Sequence, residues 1–168
     1  MPTLQIPPEI QDKYEGIFPL PVVKLANDLG IEVYETDELE DSQSGSIVKT
    51  GDKYIIQVNS KHPPTRKRFT IAHEIGHFIQ HKEELENEHI DEGKRPIVLA
   101  NRSKIPQGKN VKMEKEADAF AADLLMPVAE FKRVWDKSTS IEEVAEYFNV
   151  SQSAAAVRAG TLLKLAIF

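Results

Sequence analysis

Arg68-Phe69-Thr70-Ile71-Ala72-His73-Glu74-Ile75-Gly76-His77-Phe78-Ile79 is the stretch on which the reading of this chain turns. Lys61-His62-Pro63-Pro64 closes whatever precedes it, and the pattern predicts a helix from about Thr65 to Glu84. Phe69, Ile71, Ala72, Ile75, Gly76, Phe78 and Ile79 cover nearly the whole circumference of that helix. A helix apolar on all sides belongs inside a domain. Ionisable groups carried into such a setting need partners, because burying them alone is costly. His73, Glu74 and His77 are therefore expected to be partnered.

The spacing says by what. His73-Glu74-Ile75-Gly76-His77 is H-E-x-x-H, and residues four apart share one helical face, so both imidazoles can reach one ion. Glu74 is rotated by roughly 100° from His73 about the axis. It can face a water on the ion rather than the ion itself, and take its proton during attack on a carbonyl. The chain has no cysteine, so disulfides, thiol nucleophiles and thiolate metal sites are excluded, and any metal must be held by His and carboxylates. Zinc is the expected ion for a His, His, carboxylate set, with manganese the alternative.

A third protein ligand is required, with a fourth position left open. Neither Gln80 nor Glu83 is the Gly or His that an extended H-E-x-x-H-x-x-G-x-x-H pattern needs there. His81 lies a turn beyond His77, but three turns of one straight helix spread about 12 Å, too far for one ion. His81 is thus read as a solvated histidine near a helix end. A second strong helix, about Met113 to Met126, offers Glu114, Glu116 and Asp118. Its apolar face centres near Ala117, Ala121, Leu124 and Leu125. Glu114 falls roughly 20° from Ala121 about the axis and is chosen as the ligand. Glu116 points roughly 140° away and is expected in solvent. Asp118 shares the side of Glu114 and suits a hydrogen bond to a ligand imidazole.

Around these helices the chain supplies a small sheet. Ile31 to Tyr34 alternates like a strand, and Ser46 to Lys49, then Thr50-Gly51-Asp52, then Lys53 to Val58 reads as a hairpin. Glu35 to Ser44 reads as an exposed loop. Pro21 opens a helix that Gly30 stops. Glu86 to Lys112 is polar and without clear structure. Downstream, Pro127 opens a helix through Trp135, and Ser140-Ile141-Glu142-Glu143 has the form of a capping box. Asn149 suits a helix C-cap, and Ser151 starts a last helix toward Leu165. The expected class is α+β, with residues 1–136 as one domain and 137–168 as a helical extension packed on it.

The blocks Arg68 to His77 and Glu114-Lys115-Glu116-Ala117-Asp118-Ala119-Phe120-Ala121-Ala122-Asp123-Leu124-Leu125-Met126-Pro127 resemble the ImmA/IrrE group of bacterial and phage metallo-endopeptidases. The resemblance covers roughly Pro21 to Pro127 and weakens beyond. It implies a zincin-like peptidase fold with a His, His, Glu ligand set, its Glu falling on Glu114. Asp118 stands where Asn is common. The resemblance also implies a narrow substrate range, typically a helix-turn-helix repressor cleaved to relieve repression. Zincin-type peptidases lay an extended substrate along an edge strand, and Lys53 to Val58 is the natural candidate. Tyr54, His62 and Arg102 are open candidates for stabilising an oxyanion.

Ile141 to Arg158 also resembles a helix-turn-helix. Only Gln152 and Arg158 on its second helix suit contacts to bases or phosphates. A net charge of -6 gives little electrostatic footprint for nucleic acid. The pair is expected to pack on the peptidase core or meet a protein partner, not DNA. A competing reading makes the chain a non-proteolytic regulator or toxin–antitoxin accessory with a structural metal site. An intact Glu74 argues against it, since a structural site needs no general base. No apolar run is long enough to span a bilayer, and Met1 to Pro8 lacks the features of a secretory signal, so a cytoplasmic address is expected.

Overall fold

The computed structural model describes residues 5–86 and 107–164. The chain runs α1 (Pro8–Tyr14), α2 (Val22–Asp28), β1 (Ile31–Thr36), β2 (Gly45–Thr50), β3 (Lys53–Asn59), α3 (Pro64–Gln80), α4 (Lys82–Glu86), α5 (Gln107–Leu125), α6 (Val128–Lys137), α7 (Ile141–Phe148) and α8 (Gln152–Leu163). This is the expected α+β class, a three-stranded sheet with helices packed on it. Among the described residues no helix is long and apolar enough to cross a membrane.

Pro21 caps α2 from outside, and Gly30, at φ +81, turns the chain into β1. β2 and β3 form the expected hairpin, with Thr50 opposite Lys53 across Gly51-Asp52. Gly51 takes φ +60, the value a II′ turn asks of its first central residue and which glycine adopts without strain. β1 then pairs parallel with β3, from Ile31 opposite Tyr54 to Thr36 opposite Asn59. The strand order is β1-β3-β2. β3 is therefore the centre of the sheet, bonded on both sides. It cannot accept a substrate strand, and the expectation that Lys53 to Val58 forms the edge is corrected. The parallel crossover from β1 fills that place, leaving β2 and β1 as the outer strands.

The loop between β1 and β2 is not a free excursion. Asn59 Nδ2 donates to the carbonyls of Glu40 and Gln43, each at 3.0 Å, and His62 Nε2 bonds the Asp41 carbonyl at 2.9 Å. Leu39 is buried beneath it.

α3 follows β3 directly, and from Thr70 to His77 only His73 is not fully buried. Its neighbour is α5, the most extensive helix contact among the described residues. Gly76 makes this approach possible: a Cβ there would lie 3.2 Å from the Ala117 Cα and 3.1 Å from the Phe120 ring. α3 ends sooner than the periodicity predicts. His81 leaves the helical path at φ -126, ψ 31, and α4 starts afresh at Lys82.

The C-terminal helices share the core. Phe131 of α6 stacks on Phe148 of α7 at 5.9 Å, and both are fully buried, each worth about 3–5 kcal/mol against alanine. Ser140 Oγ accepts from the Glu143 N–H, while Glu143 accepts from the Thr139 N–H, one residue earlier than a strict capping box. Asn149 caps α7 in the left-handed region at φ 52. Arg68 of α3 donates to the carbonyls of Leu20 and Asn149, tying the central helix to both ends of the chain.

Candidate metal centre

α3 and α5 run antiparallel across Gly76, so His73 meets Asp118 and His77 meets Glu114. The Nε2 atoms of His73 and His77 are 3.1 Å apart. Glu114 bridges them, Oε2 at 3.1 Å from His73 Nε2 and Oε1 at 3.0 Å from His77 Nε2. The three residues form a group able to hold one metal ion, with ligand atoms all within 4.8 Å of one another. A tetrahedral zinc site with ordinary bond lengths has edges of about 3.3–3.4 Å. The triangle of donors here is only slightly tighter, and its chemistry, two imidazole nitrogens and a carboxylate, is that of a hydrolytic zinc site with an open position. The residues fit the group.

The electrostatics point the same way. Burial opposes a charge on His73, yet hydrogen bonds to Asp118 and Glu114, with Glu74 nearby, outweigh it and push the imidazole pKa up to about 9. The site therefore holds an excess of negative charge that a proton or a divalent cation can neutralise. Glu74 itself is buried, 2% exposed, within the helix that carries both histidines.

The Nδ1 atoms of the two histidines are also engaged, and differently. Asp118 Oδ1 accepts from His73 Nδ1 at 2.7 Å. His77 Nδ1 instead meets His81 Nδ1 at 2.9 Å, and His81 Nε2 in turn meets Glu116 Oε2 at 2.8 Å. Both residues therefore differ from the sequence reading. His81 is not solvated but 4% exposed, and Glu116 is half-exposed with a fixed partner rather than free in water. The signal was present in the four-residue spacing from His77 to His81. The axial-distance argument that rejects His81 as a ligand does not bear on its contact with His77, and its partner Glu116 on α5 cannot be read from local sequence.

Of the residues considered for an oxyanion, His62 Nε2 is committed to the Asp41 carbonyl. Tyr54 packs edge-on against Phe78 at 4.8 Å, and Arg102 lies outside the described residues. Beside Asp118 opens a mostly apolar cavity of about 1190 Å³, lined among others by Phe69, Ala122, Met126, Ala154 and Val157. Arg158 does not project from α8 as a DNA-reading side chain would. It is buried, donating from Nε to the Met126 carbonyl at 3.0 Å and from a terminal nitrogen to Asp123 Oδ1 at 2.7 Å.

Residues 26–159 match the family model described as the IrrE N-terminal-like domain, peptidase M78. Metallopeptidase ImmA of Bacillus subtilis (strain 168) is 29% identical over 104 residues, 61% of this chain and 53% of that protein. The matched stretch thus spans about half the length of that relative. A solved Mycobacterium tuberculosis transcriptional regulator shares the fold at a TM-score of 0.59 and 20% identity, over 83% of this chain and 39% of that one. The family match runs from α2 into α8 and takes in both the H-E-x-x-H helix and the helix that supplies Glu114. This chain belongs to the ImmA/IrrE family.

Proposed function

We propose that the chain is a metal-dependent endopeptidase of narrow specificity, with His73, His77 and Glu114 as metal ligands and Glu74 as general base. The observation that carries this reading is the convergence of His73 Nε2, His77 Nε2 and the Glu114 carboxylate on one point, with Glu74 buried in the helix that carries both histidines. When bound, a zinc ion supplies Lewis acidity, polarising a carbonyl and lowering the pKa of water to about 7. Glu74 receives the proton of the attacking water and returns it to the departing amine, the usual two-way service of a catalytic carboxylate. Asp118, accepting from His73 Nδ1, holds that ring so that Nε2 faces the centre. Manganese is the alternative ion.

The substrate is a protein, and the expected class is a helix-turn-helix repressor in the cytoplasm. The apolar cavity that starts at Asp118 supports a polypeptide substrate, since it would receive apolar side chains beside the scissile bond. We read residues 137–168 as an extension packed on the peptidase domain of residues 1–136. The buried Arg158–Asp123 pair supports that packing and removes one of two side chains on which a DNA-binding role would depend.

The test incubates the metal-loaded chain with repressors encoded beside it and follows discrete cleavage. Glu74→Gln is expected to keep its metal and lose about 10²–10⁴-fold in rate. Full activity in Glu74→Gln would sink the mechanism.

A further inference from the structure

The two histidines of the metal centre are oriented by different devices, and the one behind His77 is assigned to no role above. His81 Nδ1 lies 2.9 Å from His77 Nδ1, and His81 Nε2 lies 2.8 Å from Glu116 Oε2. The rings of His77 and His81 sit 5.1 Å apart, tilted by 50°. A carboxylate oxygen only accepts, so His81 must carry its proton on Nε2 to satisfy Glu116. A neutral His81 then offers a lone pair at Nδ1. His77 completes that contact by donating from its own Nδ1–H, which keeps its Nε2 lone pair for an ion held between it, His73 and Glu114. The reverse arrangement, a proton on His81 Nδ1, would put the His77 proton on Nε2, where a metal ligand cannot carry one.

We infer that His81 and Glu116 form a relay that sets the tautomer and ring direction of His77, making both of them positioning residues for metal capture. The inference rests on the metallo-hydrolase reading of the same site. His81 is itself no ligand here: both its nitrogens are bonded elsewhere, and the convergent group comprises His73, His77 and Glu114. The fold explains why a second device is needed. Asp118 reaches His73 directly across the α3–α5 seam, whereas His77 has an imidazole between it and its carboxylate. The four-residue spacing sets that imidazole against His77, the His81 N–H still bonded to the His77 carbonyl, in a place only 4% exposed. Lys112 Nζ stands 3.7 Å from the other Glu116 oxygen, on the outer side of the relay.

The test uses the full chain, stripped of metal and reloaded with zinc or cobalt. Zinc affinity comes from competition with a chromogenic chelator. The visible spectrum of bound cobalt reports ligand geometry, and an imidazole Nδ1–H proton resonance in the zinc form reports the His77 donor. His81→Phe is expected to weaken zinc binding about 10–100-fold, shift the cobalt spectrum and abolish that resonance. His81→Gln, whose amide oxygen can accept the same bond, should recover most of the affinity. Glu116→Ala, a change at a half-exposed side chain, should cost about 10-fold and decides the matter if His81→Phe does not fold. Zinc affinity and cobalt spectrum unchanged in folded His81→Phe, or in Glu116→Ala when only that variant folds, would overturn the relay alone. A cobalt spectrum showing His81 directly bound would overturn it too, making His81 a ligand. If the unsubstituted chain takes up no metal, the relay and the hydrolase reading fail together.

Discussion

α5 serves two neighbours with the same chemistry and opposite outcomes. Its first half turns Glu114, Glu116 and Asp118 toward the histidines of α3 and the turn after it. Its second half turns Asp123 toward Arg158 of α8, and the carbonyl of Met126, just past its end, joins it. At the second seam a guanidinium supplied by the chain balances the acceptors, its Nε bonded to the Met126 carbonyl and a terminal nitrogen to Asp123. At the first seam Glu114 and Asp118 face imidazoles that only sometimes carry charge, Glu116 also meeting Lys112 on its outer side, and three of the ligand atoms converge on a shared point. A polar cluster closed by a permanent cation is structural. One that lacks a permanent cation has a place for an exchangeable one.

That contrast can be broken at either seam. Glu114→Ala should have the largest effect: on the proposed ligand set, its loss is expected to lower zinc affinity by more than the roughly 10–100-fold of a supporting partner, with little change in metal-free stability. Equilibrium metal competition measures it, and undiminished affinity would move the third ligand elsewhere. Arg158→Ala should do the reverse. It strands Asp123, so unfolding in urea should register a loss of about 2–3 kcal/mol, while zinc affinity stays within twofold. That figure lies near the low end for a broken buried pair, because the Asp123 side chain keeps 26% of its exposure. A large drop in metal affinity for Arg158→Ala would show that the seams are not independent.

Gly76→Ala sharpens the comparison, since it pushes on the first seam without removing a polar group. The added methyl meets the Ala117 backbone and Phe120 at 3.1–3.2 Å. The expected cost is about 1–3 kcal/mol in denaturant unfolding, together with weaker metal binding as α5 and Glu114 are displaced. Retained stability and affinity would mean that the helices yield freely there. The smallest effect is a pH slope. The folded pKa of His73, raised to about 9, lies above its ordinary 6.5. The metal-free protein therefore gains full stability from the charged ring below about pH 6.5 and loses it as pH rises through about 9. Melting temperatures of the stripped protein should fall across that window, and the added fall should vanish in His73→Ala.

The residues at the centre were largely legible beforehand. Burial follows from an apolar helix, the shared face of His73 and His77 from a four-residue spacing, and the direction of Glu114 from its place near Ala121 on the next helix. The cap at Asn149 and the turn at Gly51 were equally readable, each resting on a local backbone requirement. Arg158 was legible only as a cation. Its fate depended on what α8 packs against, and an exposed helix with the same residues would have presented it to solvent.

By itself the sequence determined which titratable groups gather in one place and which helices carry them, because helical periodicity and cap chemistry act over a few residues. Three matters were decided only by the tertiary structure. β3 became central because β1, distant in sequence, returns to pair with it. His81, expected in solvent at a helix end, is only 4% exposed. Glu116, which a helical wheel sends to water, finds His81 across the seam. Each depends on contacts between segments far apart in the chain, where no local pattern records the neighbour. The H-E-x-x-H motif thus offered two candidate ligands and a candidate base, while the carboxylate behind His81 came from packing alone.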